Sequence, residues 1–245
     1  YSVHAPKISC HFYILSMAKD IVYCEYNYYC IFDPKFFNLD IILKYFPNLS
    51  DTQKAQFAAL DVIYREWNEK INVISRKDID NLYTHHILHS LAIAKFITFK
   101  DGTKIIDLGT GGGFPGIPLA ILFPNCQFLL VDSINKKLHV INAVVEELNL
   151  TNVTTKHARV EEMKDKCDFV VTRAVAKVDK LLPWSRKVLS SSQKNLYPNG
   201  LIALKGDLRE ELNLLPKFEY RETVQITKYF NEPYFEEKYL LYVQG

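Results

Sequence analysis

A glycine-rich segment at residues 107–118 carries the strongest chemical signal in the sequence. It reads Asp107-Leu108-Gly109-Thr110-Gly111-Gly112-Gly113-Phe114-Pro115-Gly116-Ile117-Pro118. Glycines permit positive φ angles and remove Cβ atoms, so the backbone can approach a ligand closely, and a helix that follows presents free N–H groups. Dinucleotides and S-adenosylmethionine both bind such turns. Gly111, Gly113 and Gly116 satisfy the dinucleotide spacing G-x-G-x-x-G, so spacing alone does not choose between these ligands.

The register of this turn favours the methyl donor. The first glycine of a dinucleotide triplet is expected directly at the strand end, but Gly109 holds that place and its own frame ends in Phe114. Asp107, two residues earlier, suits a ligand that carries an ammonium group and no pyrophosphate. Asp132 follows the next apolar run and is expected to accept the ribose hydroxyls, a role common to both ligands; helix capping is the alternative for Asp132.

The elements that position these residues alternate along the chain. Apolar periodicity predicts a helix over 51–69 with Ser50 as its N-cap, and another over 79–99. Short apolar runs then predict strands at 104–108, 127–131, 153–156, 169–172 and 201–204, with helices over 135–148 and 178–189. Two further strands, 223–227 and 239–243, form an antiparallel hairpin. The fold class is α/β with a doubly wound, mostly parallel sheet.

The predicted organisation has three parts. Residues 1–38 lack a clear period and are interpreted as an extension, with an accessory arm as the alternative; residues 39–100 form a helical cap and residues 101–245 the sheet domain. The net charge of +2 requires any nucleic-acid contact to come from a local basic patch. We expect a cytoplasmic monomer without membrane segments. Five cysteines without a CxxC pair, and three nearby histidines without further ligands, predict no metal site.

Several motifs together resemble the bacterial glucose-inhibited division protein B family (GidB, or RsmG) over residues 39–245. They are Trp67-Asn68 with Asn72 and Ser75, His86-Ile87-Leu88 with Ser90, the whole glycine segment, Asp132-Ser133, Arg159-Val160-Glu161-Glu162, Thr172-Arg173-Ala174 and Ala203-Leu204-Lys205-Gly206. The resemblance implies a Rossmann-like class I fold with a seven-stranded sheet, S-adenosylmethionine as cofactor, and methylation of a guanine N7 in 16S ribosomal RNA of the small subunit.

Site residues follow from this resemblance and from strand ends. The family pattern implies donor contacts at Gly109, Gly111, Phe114, Asp132, Val160, Glu161 and Arg173, and places His86 in the active-site wall. Arg173 ends the fourth strand and is the best candidate for a catalytic role, whether toward the donor carboxylate, the base or a phosphate. Lys205 ends the fifth strand and is expected to contact an RNA phosphate. Further candidates for phosphate contacts are Arg65, Lys70, Arg76, Lys77, Lys136 and Lys137.

The residues also bear on the target atom. An exocyclic amine would call for Asn/Asp-Pro-Pro-Tyr/Phe after the fourth strand, where this chain has Thr172-Arg173-Ala174-Val175. A pyrimidine C5 target would need a cysteine nucleophile, and Cys167 precedes that strand. A ring nitrogen with its own lone pair fits better. The alternatives are an NAD-dependent oxidoreductase, a non-catalytic ribosome-assembly factor that retains the pocket, and a small-molecule methyltransferase.

Overall fold

The computed structural model describes residues 39–216 and 219–245. The α-helices of this part are α1 (Leu39–Tyr45), α2 (Asp51–Lys70), α3 (His89–Phe96), α4 (Gly116–Leu122), α5 (Asn135–Glu147), α6 (Val178–Val188) and α7 (Arg209–Leu212). Its strands are β1 (Lys104–Leu108), β2 (Gln127–Asp132), β3 (Val153–His157), β4 (Phe169–Arg173), β5 (Gly200–Lys205), β6 (Arg221–Gln225) and β7 (Tyr239–Gln244). None of the helices in these ranges is long and apolar enough to span a lipid bilayer.

The seven strands form one sheet in the order β3-β2-β1-β4-β5-β7-β6. Strands β1 to β5 are parallel, and β7 is antiparallel to both β5 and β6. This confirms the predicted mostly parallel sheet with an antiparallel pair at its C-terminal end. The chain leaves β1 toward β2 and β3 and returns to β4 on the other side of β1. Such a reversal opens a ligand crevice at the carboxyl ends of β1 and β4.

The core lies on both faces of the sheet. Successive strand residues face opposite sides, so Ile105 joins one hydrophobic cluster and Ile106 the other. The first cluster also contains Phe57 and Ile87 from the helical residues 39–100, which therefore share a core with the sheet. The second contains Leu181 of α6. The boundary between 39–100 and 101–245 stays a prediction, and the predicted extension 1–38 lies outside the described residues.

The helix predicted over 51–69 is α2, and its N-terminus carries a full capping box. The Gln53 N–H donates to Ser50 Oγ at 3.3 Å, and the Ser50 N–H donates to Gln53 Oε1 at 2.9 Å. The helix predicted over 79–99 differs from the structure. It consists of a 3-10 turn (Ile79–Asn81), a π-helix (Leu82–Leu88) and α3. A π-helix inside a helical segment is rare and frequently occurs at functional sites.

Candidate functional site: a crevice at the ends of β1 and β4

The glycine turn connects β1 to α4 and adopts a backbone that favours glycine. Gly109, Gly111 and Gly113 have φ angles of +66°, +60° and +96°. At Gly109 a Cβ atom would also lie 2.5 Å from Val175 Cγ2, in the segment that follows β4. Glycine is therefore required there for two reasons, and it allows the turn and the end of β4 to approach each other closely.

Asp107 lies fully buried beneath this turn. Its Oδ2 accepts hydrogen bonds from Thr110 Oγ1 at 2.7 Å and from the Gly116 N–H at 2.8 Å. Its Oδ1 is buried without a hydrogen-bond partner among the described residues. Burial raises the pKa of Asp107 to about 7. An unpaired carboxylate oxygen in this place fits a ligand ammonium group, which is what the amino-acid end of S-adenosylmethionine carries.

Asp132 ends β2 and fastens the glycine turn to that strand. Its Oδ2 accepts from the Gly111 N–H at 2.9 Å, and its Oδ1 accepts from the Ile134 N–H at 2.8 Å. Each carboxylate oxygen can accept more than one hydrogen bond, so the predicted ribose contact remains compatible with this arrangement. The bond to Ile134 is a local turn contact just before α5, and no side chain caps that helix, so the capping role considered as the alternative for Asp132 is not seen.

The predicted Val160-Glu161 pair lies just after β3, in the 3-10 turn Val160–Glu162. Val160 is buried in the second hydrophobic cluster. A main-chain turn at the end of a parallel strand places backbone groups at the sheet edge where ligands bind. The Glu161 side chain falls outside the part that the structure describes, so its predicted donor contact stays a prediction.

Arg173 meets Phe114 and the π-helix in the crevice. Its guanidinium lies 5.2 Å from the centre of the Phe114 ring. Nη1 donates to the His85 carbonyl oxygen at 2.9 Å, and Nη2 lies 2.9 Å from His86 Nδ1. The structure thus brings together three predicted residues that are far apart in the sequence, namely Phe114, Arg173 and His86.

The protonation of His86 follows from its neighbours. An arginine only donates hydrogen bonds, so His86 Nδ1 accepts from Arg173 and the ring proton resides on Nε2. That Nε2–H faces Asp78 Oδ2 at 2.7 Å. Burial and the positive charge of Arg173 lower the pKa of His86 to about 4. His86 is therefore neutral at physiological pH, with one nitrogen facing an arginine and the other a carboxylate.

Lys205 occupies a different setting from the predicted one. Its ammonium group is buried at the end of β5, forms an ion pair with Glu211 Oε2 at 2.9 Å and donates to the Ala176 carbonyl oxygen. A lysine in this position stabilises the loops after β4 and β5. Because its charge is already paired inside the protein, we do not assign the predicted phosphate contact to it.

The basic candidates for RNA contacts divide into two groups. Arg65 forms ion pairs with Asp61 and Asp80, Lys70 pairs with Glu66, and Lys137 lies 4.0 Å from Asp132 Oδ2, so these charges have anionic partners. Arg76 and Lys77 are exposed in the loop after α2, and Lys136 is exposed at the start of α5. Exposed cations near the crevice suit phosphate contacts better than paired ones.

Three residues of the crevice were not predicted as site residues. Tyr64 is fully buried and donates to the Gly112 carbonyl oxygen at 2.6 Å, so it supports the turn from α2. Tyr234 stacks on His85 with ring centres 3.8 Å apart. Asp78 contacts both His85 and His86. In the sequence Tyr64 shows only as part of a buried helical stripe, and nothing local marks the other two. Among the described residues, no group of three or more His, Cys, Asp or Glu could hold a metal ion.

Comparison with known proteins covers most of the chain. A sequence model of the GidB family, described as rRNA small subunit methyltransferase G, matches residues 53–228. The chain is 54% identical to ribosomal RNA small subunit methyltransferase G of Bacteroides thetaiotaomicron, over 84% of this chain and 100% of that protein. It is 50% identical to the protein of that name from Flavobacterium johnsoniae, over 84% of this chain and 97% of that protein.

One solved structure that resembles the chain is the precorrin-6y C5,15-methyltransferase of Geobacter metallireducens. The TM-score is 0.49 with 15% identity, over 71% of this chain and 92% of that chain. The family match and the identity to whole curated proteins confirm the resemblance inferred from the motifs. The chain belongs to the GidB family of small-subunit ribosomal RNA methyltransferases.

Proposed function

We propose that this protein transfers a methyl group from S-adenosylmethionine to N7 of a guanine in 16S ribosomal RNA. Membership of the GidB family gives the reaction class, which is S-adenosylmethionine-dependent methylation of small-subunit ribosomal RNA. The choice of a ring nitrogen is our inference. One observation carries it: the end of β4 presents a half-buried arginine, Arg173, against an aromatic ring, and the described residues there include neither an Asn/Asp-Pro-Pro motif nor a cysteine.

The cysteines of the described part do not support methylation at carbon. Cys167 lies before β4, away from the carboxyl ends of the strands, and burial raises the pKa of its thiol to about 12. Burial also raises the pKa of the Cys126 thiol to about 11. A covalent route needs a thiolate nucleophile, which neither residue supplies at neutral pH. Guanine N7 carries its own lone pair and needs neither a nucleophile nor a base.

The proposed mechanism is positioning. Bound S-adenosylmethionine supplies a sulfonium methyl group; the N7–carbon bond forms as the sulfur–carbon bond breaks, and no proton moves. In this proposal Asp107 holds the ammonium group and Asp132 the ribose at the glycine turn. Phe114, His86 and Arg173 form the wall where the methyl group meets the base and exclude water from it. Holding two reactants in line is worth several kcal/mol of the barrier, about 7 or more in favourable cases.

The structure disfavours the oxidoreductase alternative. A dinucleotide pyrophosphate would bind at the first turn of the helix after the glycine segment. In this protein the Gly116 N–H, the first of α4, already donates to Asp107 Oδ2 at 2.8 Å. A carboxylate in that place competes for the N–H groups and, when ionised, repels a pyrophosphate. The same carboxylate favours a ligand with a positive charge.

We further propose that the substrate is RNA folded in the small ribosomal subunit and that the enzyme acts as a cytoplasmic monomer. The nearly balanced charge of the chain supports recognition of a preformed RNA shape over sequence-blind binding to naked RNA. The cytoplasmic location is inferred from the proposed substrate, the small ribosomal subunit. Faster methylation of small-subunit particles than of naked 16S RNA is expected, and equal rates would contradict the proposal. Light scattering of the purified protein tests whether it is a monomer.

The function is tested by tritium transfer from labelled S-adenosylmethionine to small-subunit particles that lack the modification. We expect incorporation with the wild-type protein and a strong decrease with Asp132→Ala, which removes the contact between β2 and the glycine turn. Lys54→Ala is the control, since Lys54 forms an exposed pair with Asp51 on α2. Donor binding without transfer would support the assembly-factor alternative instead. Binding of NAD without binding of the donor would reinstate the oxidoreductase.

A further inference from the structure

Arg173 has no anionic partner of its own in the crevice. Among residues 39–216 and 219–245, no carboxylate forms a salt bridge with it. Its two hydrogen-bond partners are neutral: the carbonyl oxygen of His85 and Nδ1 of His86. Burial lowers the pKa of Arg173, although an arginine remains charged at any physiological pH. The orientation of this guanidinium therefore depends on two acceptors contributed by one helix.

The π-helix Leu82–Leu88 presents both acceptors. His85 and His86 are adjacent in the chain, yet both rings contact the same carboxylate. Asp78 Oδ1 lies 2.6 Å from His85 Nδ1, and Asp78 Oδ2 lies 2.7 Å from His86 Nε2. Hydrogen bonds from the two histidines outweigh burial and lower the pKa of Asp78, so it is ionised at neutral pH. Asp78 thus accepts from one histidine on each oxygen, and its Oδ1 also accepts from Asn81 Nδ2 at 3.3 Å.

Asp78 affects Arg173 by setting which nitrogen of the His86 ring is protonated. A neutral imidazole donates from one nitrogen and accepts at the other. With Asp78 accepting from Nε2–H, the lone pair of Nδ1 is available to Arg173. In the other tautomer the Nδ1–H would face an N–H of the guanidinium, and two donors cannot form a hydrogen bond. The carboxylate therefore selects the tautomer that binds the arginine.

We propose that Asp78 is a positioning residue, which acts through His86 to orient Arg173 over Phe114. This inference rests on the proposed function, since it assigns to Asp78 an effect on methyl transfer. Asp78 itself lies away from the reacting atoms, because the His86 ring separates it from Arg173. Asp78 also bonds the His85 ring, and the His85 carbonyl oxygen accepts from Arg173, so the test must isolate the route through His86.

A double-mutant cycle tests this route. His86→Asn keeps an acceptor oxygen at the position of Nδ1 and removes the atom that contacts Asp78. We expect Asp78→Ala to lower kcat/KM for methyl transfer by about tenfold in the wild-type background, the scale of a misplaced positioning group. In the His86→Asn background the same change should have less than about a twofold effect. An equal loss in both backgrounds, or no loss in the wild type, would overturn the proposal.

Two further variants separate positioning from folding. Asp78→Asn retains an oxygen for His86 and can turn its amide group toward His85, whose proton can move to the other nitrogen. We expect its activity to stay within about threefold of the wild type. An equal loss in Asp78→Asn and Asp78→Ala would contradict the hydrogen-bond role. Asp80→Asn is the matched control, because Asp80 is an exposed carboxylate two residues away that pairs with Arg65.

A spectroscopic readout tests the same point without the reaction. Nitrogen-15 labelled histidine in the whole protein distinguishes the two neutral tautomers by NMR. We expect the Nε2–H form for His86 in the wild type and a smaller proportion of that form in Asp78→Ala, where Arg173 alone favours it. A protonated Nδ1 in the wild type would overturn the proposal. This result is independent of the substrate, so it separates a failure of the inference from a failure of the proposed function.

Discussion

Asp107 illustrates how one residue can serve ligand binding at the expense of stability. Burial raises its pKa from 3.8 in an unfolded chain to about 7, so the folded state favours the protonated form. The favourable contribution is complete below pH 3.8 and is lost as the pH rises through 7. At about 1.4 kcal/mol for each pH unit in that interval, the ionised carboxylate destabilises the fold by roughly 4 kcal/mol above pH 7.

Asp107→Asn should therefore be more stable than the wild type at pH 8 and close to it at pH 4. The amide oxygen can accept from Thr110 and Gly116 as Oδ2 does, and an uncharged NH2 group replaces the unpaired Oδ1. The variant should bind S-adenosylhomocysteine more weakly, because the ammonium group loses its carboxylate. Denaturant unfolding at the two pH values and calorimetric titration measure both effects. A stability difference that does not grow with pH would contradict this account of Asp107.

Gly109 is the second residue whose role can be tested directly. Gly109→Ala combines a positive φ with a contact of 2.5 Å to Val175 Cγ2. Gly102→Ala is the matched control, since φ is +75° there and no atom lies within 4 Å of the added Cβ. The control should cost about 1 kcal/mol in the free energy of unfolding, and Gly109→Ala about 2–3. Adding Val175→Ala to Gly109→Ala should recover the stability lost beyond that of the control. If it does not, the contact between the added Cβ and Val175 is not the cause of the loss.

The capping box of α2 allows a prediction at the scale of the element. Ser50→Ala should cost about 1 kcal/mol in the free energy of unfolding, the usual value for an N-cap. Gln53→Ala should cost more, since Gln53 Nε2 also donates to the Ile121 and Leu122 carbonyl oxygens at the end of α4. Thermal unfolding measures both, with the exposed Ser191→Ala as the control. Equal costs for Ser50→Ala and Gln53→Ala would contradict the link between α2 and α4.

Regular elements were predictable from the sequence because local signals specify them. Alternating apolar runs located the strands to within one or two residues at most ends, and Ser50 marked the start of α2 correctly. The segment 79–99 was predicted as one helix, since its apolar spacing resembles that of an α-helix. Within it, Asp78 and Arg173 contact His85 and His86 of the π-helix from outside that helix. Contacts across 87 or 88 residues leave no local pattern to read.

The candidate site residues also divide into those that local sequence signals reveal and those that only long-range contacts reveal. The positions of Gly109, Asp132 and Arg173 at strand ends, where open α/β sheets bind ligands, were predictable, and their contacts with the donor stay predictions. The burial of Lys205 was not predictable, because its partner Glu211 lies in α7 and nothing in the sequence shows that a lysine at a strand end forms an ion pair. Asp78 has no apolar periodicity or motif of its own. Its role depends on which atoms the fold brings within hydrogen-bond distance.

At the scale of the whole molecule, Glu232 links α1, the first described helix, to a loop near the C-terminal end of the chain. Tyr45 of α1 donates to Glu232 Oε1 at 2.9 Å and accepts from the Asn231 N–H at 2.9 Å, while Lys44 pairs with the same carboxylate. The group connects the helical part to the loop between β6 and β7. Because the two parts also share one hydrophobic cluster, we expect them to unfold together.

Tyr45→Phe removes the bridging hydroxyl and should cost about 1 kcal/mol in the free energy of unfolding, with a single transition. Tyr220→Phe is the control: its hydroxyl also bonds a glutamate, Glu222, but only two residues away at an exposed position. The control should change stability by less than about 0.5 kcal/mol. Calorimetry checks both. A second transition in the Tyr45 variant would show that the two parts fold separately.

The most direct test of the central claim is the identity of the methylated nucleoside. Small-subunit particles that lack the modification are incubated with the protein and S-adenosylmethionine carrying a deuterated methyl group, then digested and analysed by mass spectrometry. Our account predicts the label in N7-methylguanosine alone, with Arg173→Ala strongly reduced and Asp80→Asn unchanged. A label on an exocyclic amine, on carbon or on a ribose would contradict it.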